Sequence, residues 1–322
     1  MRKIWYNGKV LDESEAKLSI YDSALMFGDM VFEMTRSFNK QHFMLHEHLK
    51  RLQRSMRCLS INCEVSFTTL EKACHLITEA NSYEMRDDDE HRLMINVSRG
   101  ILSIYSGVVG VQQGPTVMIT DFPLKWTVRG FGKLYDEGVN AVIPSQRAIP
   151  SRYLDPKLKH RSRLHLQVAN IEVSKYTGDN NWALLLDEDG FIAEGTGDNF
   201  FIVKDGVVYT PEGRDILRGV SREYVIALCG MLSIECIEKN IEPYDVLDAD
   251  EAFMTGTPFC ILPVTQLNHK CIGNSSIGYY TKLLLDEWGN SVGVDIIKQI
   301  KLWNTTSTDS LNVTPYMFKE MS

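Results

Sequence analysis

At 322 residues the chain is long enough for two domains of about 150 residues each and for a sizeable buried core. Hydrophobic residues at 44% and charged residues at 24% match an ordinary globular protein and exclude disordered, collagen-like and coiled-coil classes. A net charge of −8 repels a phosphate backbone and argues against nucleic acid as a partner. Met1 to Val10 has no signal-peptide core, and no apolar run reaches the roughly 18 residues of a membrane span, so the expectation is a cytoplasmic protein with no membrane partner. Seven cysteines, an odd number with no C-x-x-C pair, argue against a disulfide framework and a zinc site; they read as reduced, mainly core residues, and no metal is expected.

The opening reads as a hairpin, because Asn7-Gly8 is a strong two-residue turn between Ile4-Trp5-Tyr6 and Lys9-Val10-Leu11. A second hairpin follows, with Val31 to Phe38 as one strand, Asn39-Lys40 as the turn and Gln41 to Leu45 returning. Leu45, Leu49, Leu52, Met56 and Leu59 fall at helical spacing and predict a helix over about His46 to Leu59, followed by another over Thr68 to Ala80. Apolar strands over Leu93 to Val97 and Val117 to Ile119 complete an α/β first half. Between Asp121 and Glu137 the pattern becomes irregular, with Pro123, Gly130 and Gly132 and then Gly138. The expected layout is a first domain over 1–124, a linker over 125–138, a second domain over 139–303 and a tail over 304–322. In the second domain we expect a strand near Val139 to Pro144, a helix over Leu158 to Thr177 and strands at Ala183 to Leu186 and Asn199 to Val203. A helix over Gly219 to Leu232, a strand at Glu251 to Met254 and a helix from Tyr279 to Trp288 follow.

The segment from Asp155 to Leu164 places Lys157, Lys159, His160, Arg161 and Arg163 within seven positions. As a basic run it is a solvated helix start. As chemistry, Lys159 and Arg163, four apart on one helical face, form a place where neighbouring cations lower a lysine pKa toward the neutral amine that Schiff-base formation needs. Charge alone leaves both open. The segment Ala193 to Phe201 sets Glu194 before Gly195 and Gly197 and a buried-looking strand. No G-x-G-x-x-G run is present, which weakens a dinucleotide reading. A β-bulge competes there with a carboxylate that pairs with a protonated ring nitrogen. Leu217 to Arg222 enters a helix whose first N–H groups and Ser221 hydroxyl suit an anion, and Met254 to Pro258 sets small hydroxylated residues around Gly256. Each is also an ordinary cap or turn. Arg51 could add a bidentate contact or simply face solvent.

Taken in order, these segments resemble the class IV pyridoxal-phosphate aminotransferases, the family of branched-chain and D-amino-acid aminotransferases and aminodeoxychorismate lyase. The likeness runs from about Trp5 to about Gly289. It includes a signature in the first half, Asp22 to Glu33 with Phe27, Gly28 and Phe32, and the helix segment His48 to Ser55 carrying Arg51. The resemblance implies a two-domain α/β (α+β) fold of the type IV pyridoxal-phosphate enzymes, D-amino-acid aminotransferase-like, with the cofactor held by the second domain. It implies pyridoxal 5'-phosphate as cofactor, Lys159 as Schiff-base lysine and general acid/base, and Glu194 as partner of the pyridine nitrogen. Arg51, Val220, Ser221, Gly256 and Thr257 would hold the phosphate. Phe27, Phe32, Met34 and Arg36, the last three at alternate strand positions, would line the substrate pocket with Thr257. A homodimer acting on an amino acid and a 2-oxo acid is implied as well.

Two departures bear on the reaction. Many family members carry Asn-Tyr after the lysine; here Ser162-Arg163 stands there, arginine also occurs there in the lyase branch, and Arg163 would donate to the cofactor's 3′ oxygen. The D-amino-acid branch usually has an Arg-x-His pair after a Thr-Arg-Gly-like segment. Ser98-Arg99-Gly100 is followed by Ile101 to Val108 with neither residue. The apolar candidates Phe27, Phe32 and Met34 favour a branched-chain substrate, and its carboxylate partner stays open among Arg36, Arg92 and Arg99. The expectation is a transaminase passing the amino group of a branched-chain or similar apolar amino acid to 2-oxoglutarate or another 2-oxo acid. A D-amino-acid or (R)-amine transaminase, the lyase and a non-catalytic cofactor-binding protein are the alternatives.

Overall fold

Asn7 and Gly8 both take positive φ, 45° and 86°, the conformation a two-residue hairpin turn demands. They join β1 (Lys3–Tyr6) to β2 (Lys9–Asp12). The computed structural model describes residues 1–107, 113–178 and 180–305. The chain divides into two units, Met1–Trp126 with Leu158–Arg163, and Thr127–Lys157 with the chain from Leu164 onward.

In the first unit, α1 (Ser23–Phe27) precedes β3 (Met30–Met34); β4 (Ser37–Phe38) and β5 (Gln41–His42) form a small hairpin; α2 (Leu45–Cys58) and α3 (Phe67–Asn81) follow; and β6 (His91–Ser98) and β7 (Thr116–Pro123) close the run. The five-stranded sheet has the order β2-β1-β7-β6-β3. Both helices match the expected spans to within a residue. The stripe Leu45, Leu49, Leu52 and Met56 packs with Leu70, Cys74 and Ile77 of α3 on Val31, Leu93, Ile95 and Ile119 of the sheet. The single strand expected over Val31 to Phe38 is instead broken at Thr35-Arg36. The buried Glu90 carboxylate accepts from Asn39 N (2.8 Å), Lys40 N (3.0 Å) and the Ser37 hydroxyl, which fixes β4 and β5 as a separate hairpin.

A larger difference concerns Leu158–Arg163. The expected helix begins only at Leu164, as α6 (Leu164–Val173). The six residues before it lie along the open edge of β3. Phe32 N donates to Lys159 O (2.9 Å), Arg161 N donates to Met30 O (2.8 Å), and Val31 bridges His160. An edge strand presents unpaired N–H and C=O groups, and this segment takes them up. Side chains therefore alternate along it, so Lys159, Arg161 and Arg163 share one side, rather than Lys159 and Arg163 sharing a helical face.

The segment expected as a linker, 125–138, is helical. It contains α4 (Lys125–Val128), a 3₁₀ turn and α5 (Leu134–Glu137), with Val128, Leu134 and Tyr135 buried. The rest of the second unit holds β8 (Val139–Val142), β9 (Asn181–Leu186), β10 (Ile192–Gly195), β11 (Asn199–Lys204), β12 (Val207–Thr210), α7 (Val220–Met231) and β13 (Cys236–Glu238). After these come α8 (Pro243–Asp248), β14 (Glu251–Gly256), β15 (Cys260–Leu267), β16 (Lys270–Cys271), α9 (Tyr279–Val292) and α10 (Ile296–Thr305). The strand order is β10-β9-β8-β15-β14-β11-β12-β13, and β10 also pairs with β11, so six strands close on themselves. β10, β12, β13, β15, β16, α8 and α10 were not expected. Pro263 argues against a central strand, yet β15 pairs with β8 only from Val264 onward, so the proline faces no demand for an N–H from that neighbour. Ile296, Ile300 and Trp303 bury one face of α10. Residues 306–322 of the expected tail, and Val108, lie outside the described residues. All seven cysteines are free; Cys74, Cys229 and Cys260 are buried, but Cys58 and Cys271 are exposed.

Leu49→Ala, in the fully buried stripe of α2, is expected to lower stability by about 2–5 kcal/mol. Urea unfolding checks this, and an unchanged midpoint would show that the stripe does not hold the first unit.

Candidate active site

The edge segment of the first unit carries its cations to one aromatic ring. Lys159 Nζ lies 4.9 Å, Arg161 Cζ 3.7 Å and Arg163 Cζ 5.6 Å from the Phe32 ring centroid. The Lys159 backbone is held on both sides, its N–H by Ser55 Oγ (3.4 Å) and its carbonyl by Phe32 N. Ser162 Oγ donates to the carbonyls of Phe27 (3.0 Å) and Gly28 (3.1 Å). Gly28 sits at φ 67°, and a Cβ there would stand 2.7 Å from Ser162 Oγ, so only glycine lets the two segments approach. His160 points to the other side; burial, with the nearby Arg163 charge, holds its imidazole below the ordinary range.

The pocket candidates divide. Phe32 and Met34 lie on the face of β3 that the cations cover, and Met34 Sδ accepts from Arg92 Nη2 (3.6 Å). Phe27 is 66% exposed. Arg36 is not on the strand, which ends at Met34; it is buried, with its guanidinium 3.8 Å above the Phe38 ring and its Nε donating to Ser37 O. Arg99 is taken up by Asp29, at 2.6 and 3.2 Å, and by the carbonyls of Leu59 and Ser60.

On the opposite face of β3, Glu33 is fully buried. Arg51 donates to it through Nε (2.7 Å) and Nη2 (2.8 Å), and His48 Nδ1 lies 2.7 Å away. Burial alone would push the Glu33 carboxyl up; the Arg51 guanidinium and the His48 contact outweigh it and hold it at about 2. The bidentate contact foreseen for Arg51 toward a phosphate is thus made in this structure to a carboxylate. Asp22 is likewise structural: it accepts from Ala24 N, Ser98 Oγ and Thr116 Oγ1. Sequence reasoning quoted both acids without assigning them. The signal was available, since Glu33 has the strand parity of the core residue Val31, and a charge on that parity needs a buried partner.

In the second unit the other three motifs meet at one end of the sheet. Glu194 of β10 pairs with Asn199 of β11, which pairs with Thr255 of β14. Glu194 Oε2 accepts from Asn199 Nδ2 (3.0 Å) and Leu217 N (3.0 Å), and Asn199 Nδ2 also donates to Leu217 O (2.9 Å). One amide side chain therefore ties the carboxylate to the entry of α7. Gly219 caps that helix, and a Cβ on it would stand 2.2 Å from Asn199 Oδ1. With glycine as cap, the cap residue has no side chain to take the first N–H groups, and Val220 and Ser221 open the helix. Thr255 Oγ1 donates to Cys260 O (2.6 Å), closing the turn that carries Gly256 and Thr257. The register shift between Ile192 and Gly195 is the bulge considered for this segment. Asn199 and Gly219 were missed as positioning residues; Asn199 stood in the quoted motif, but its partner is 18 residues away.

Within the second unit, a carboxylate tied to a helix entry and a glycine-capped helix N-terminus suit a phosphorylated heteroaromatic group, and in the first unit the lysine amine suits an aldehyde. The comparisons agree. The sequence model of the family described as "Amino-transferase class IV" matches residues 30–267, and the chain belongs to that family, with its α/β fold and aminotransferase activity. Among its relatives, a Methanocaldococcus jannaschii protein provisionally named a branched-chain-amino-acid aminotransferase is 35% identical over 89% of this chain and 95% of its own. The D-alanine aminotransferase of Bacillus licheniformis is 29% identical over 92% of this chain and 100% of its own. A solved structure of the branched-chain amino acid aminotransferase from Thermobaculum terrenum in its PLP (holo) form has a TM-score of 0.79 at 26% identity, covering 94% of this chain and 97% of that one.

Glu33→Gln is expected to cost about 3 kcal/mol at pH 7, from the drop of the carboxyl from 4.5 to about 2. A native pKa below the unfolded one stabilises above the unfolded value and is lost as pH falls. The deficit should therefore shrink between pH 4.5 and about 2. Urea unfolding of both proteins at pH 7, 4 and 3 checks this; a deficit constant across the series would remove the charge argument.

Proposed function

We propose that this aminotransferase uses pyridoxal 5'-phosphate to pass the amino group of a branched-chain or similar apolar amino acid to 2-oxoglutarate or another 2-oxo acid. The reading is carried by one observation: Lys159 is fixed through both its backbone N–H and its C=O, with its amine over the Phe32 ring. The relatives' names support the cofactor and the substrate class.

When bound, pyridoxal phosphate supplies a carbonyl that exchanges amines and an electron-withdrawing ring. In this reading Lys159 would hold that carbonyl through its amine and would move the proton at the substrate Cα, as general base and then as general acid. Glu194, immobilised by Asn199 and Leu217 N, keeps the ring nitrogen protonated. The first N–H groups of α7 at Val220 and Ser221, with Gly256 and Thr257, hold the phosphate. Arg51, anchored by Glu33, would add positive charge for the phosphate. Arg163 donates to the 3′ oxygen. Phe32 and Met34 offer the apolar surface for an aliphatic side chain, with Phe27, Arg36 and Thr257 completing the proposed pocket. The working form is read as a cytoplasmic homodimer; a molar mass at the dimer value in light scattering would support the assembly.

Lys159→Ala is expected to abolish transfer and the visible band of the bound cofactor; ordinary turnover would refute the lysine assignment. Glu194→Gln keeps an acceptor for Asn199 and Leu217 N but not the charge, so it should retain cofactor and lose about 100-fold or more in rate. Half-reactions with L-leucine, D-alanine and an (R)-amine decide the substrate branch, with rapid bleaching by L-leucine alone expected. Pyruvate release from aminodeoxychorismate without an acceptor oxo acid would instead establish the lyase.

A further inference from the structure

The proposed reaction needs an anchor for the substrate's carboxylate close to Lys159, because that carboxylate is one bond from the carbon whose proton Lys159 moves. We propose that Arg161 is this anchor; the inference rests on the transaminase reading above. Arg161 is the next residue on the Lys159 side of the edge segment, and both cations face the same Phe32 ring. In an extended chain, alternate side chains stand about 6.6–7 Å apart, a spacing that leaves room for the substrate Cα beside the Lys159 amine with its carboxylate against Arg161.

The guanidinium is held before any ligand arrives. Asn96 Oδ1 accepts from Arg161 Nε (3.1 Å) and Nη2 (2.8 Å), and Met94 Sδ accepts from Nη2 (3.0 Å). Asn96 stands directly opposite Phe32, and Met94 opposite Met34, in the β3–β6 pairing. One cross-strand pair thus fixes both the ring and the cation stacked on it. A guanidinium lying on an aromatic face is weakly hydrated and oriented, which suits planar recognition of a carboxylate. Three cations converging on one ring also repel one another and draw an anion.

The arginines considered from sequence fit the role less well. The charge of Arg99 is matched by Asp29, and Arg36 is buried over Phe38 off the strand. Arg92 is buried beside Met34 on the neighbouring strand, where it contributes to the same positive surface. Arg161 is only partly buried, so a ligand can reach it.

The test compares the cofactor-loaded parent with Arg161→Gln and Asn96→Ala. Two substrates differ only in the carboxylate, L-leucine and 3-methylbutylamine, and 4-methylvalerate serves as a carboxylate probe without an amine. Arg161→Gln should raise KM for L-leucine and Kd for 4-methylvalerate by about 10- to 100-fold, leaving KM for the amine and the affinity for pyridoxal phosphate unchanged. Asn96→Ala should shift the same two constants by a smaller factor, which keeps the proposal open to refutation if Arg161→Gln fails to fold. Equal losses on L-leucine and the amine, weaker cofactor binding, or an unchanged Kd for 4-methylvalerate would each overturn it. A parent inert to every amino acid would overturn the functional reading instead, and the 4-methylvalerate constants would still decide Arg161.

Discussion

The first unit's chemistry depends on a backbone constraint, the open edge of β3. A strand at a sheet edge has N–H and C=O groups that need partners, and the segment Leu158–Arg163 supplies them through Phe32 N, Met30 O and Lys159 O. That pairing converts a run of basic residues into an alternating pattern. Lys159, Arg161 and Arg163 then face Phe32, while His160 turns the other way and is buried. The lysine's backbone is therefore held by hydrogen bonds to Phe32 N and Ser55 Oγ.

The same strand carries a buried charge on its other face. Glu33 on β3 and Arg51 and His48 on α2 form a hydrogen-bonded group with almost no water. Taking such charges out of water is costly, and the gain depends on geometry. Here both carboxylate oxygens of Glu33 are used, so removing one partner leaves the other charge stranded. The group locks α2 against β3, and α2 in turn brings Ser55 to the Lys159 N–H. Structural charge on one face and the cations proposed to react on the other thus share five residues of strand.

In the second unit, Asn199 plays the corresponding part. It links Glu194 to Leu217, and the missing Cβ of Gly219 makes room for its amide. Three stretches far apart in the chain become one hydrogen-bonded corner because β10, β11 and β14 are neighbours at that level.

The sequence by itself determined the helices and strands with strong periodicity, such as the α2 stripe from Leu45 to Met56, whose spacing alone places it against a core. Its ordered motifs also pointed to Lys159, Glu194 and the turns proposed to bind an anion, because residue types and their order survive without coordinates. Tertiary structure decided what local pattern cannot encode. The Leu158–Arg163 segment is extended because an edge 127 residues earlier in the chain, at Phe32–Lys159, needs its hydrogen bonds. β15 tolerates Pro263 because of where its neighbour begins. Arg51 turns to Glu33, and Arg161 to Asn96, because strand pairing and helix docking bring those partners within reach. Propensity acts over a few residues; the satisfaction of buried and edge polar groups is settled by whichever part of the chain arrives beside them.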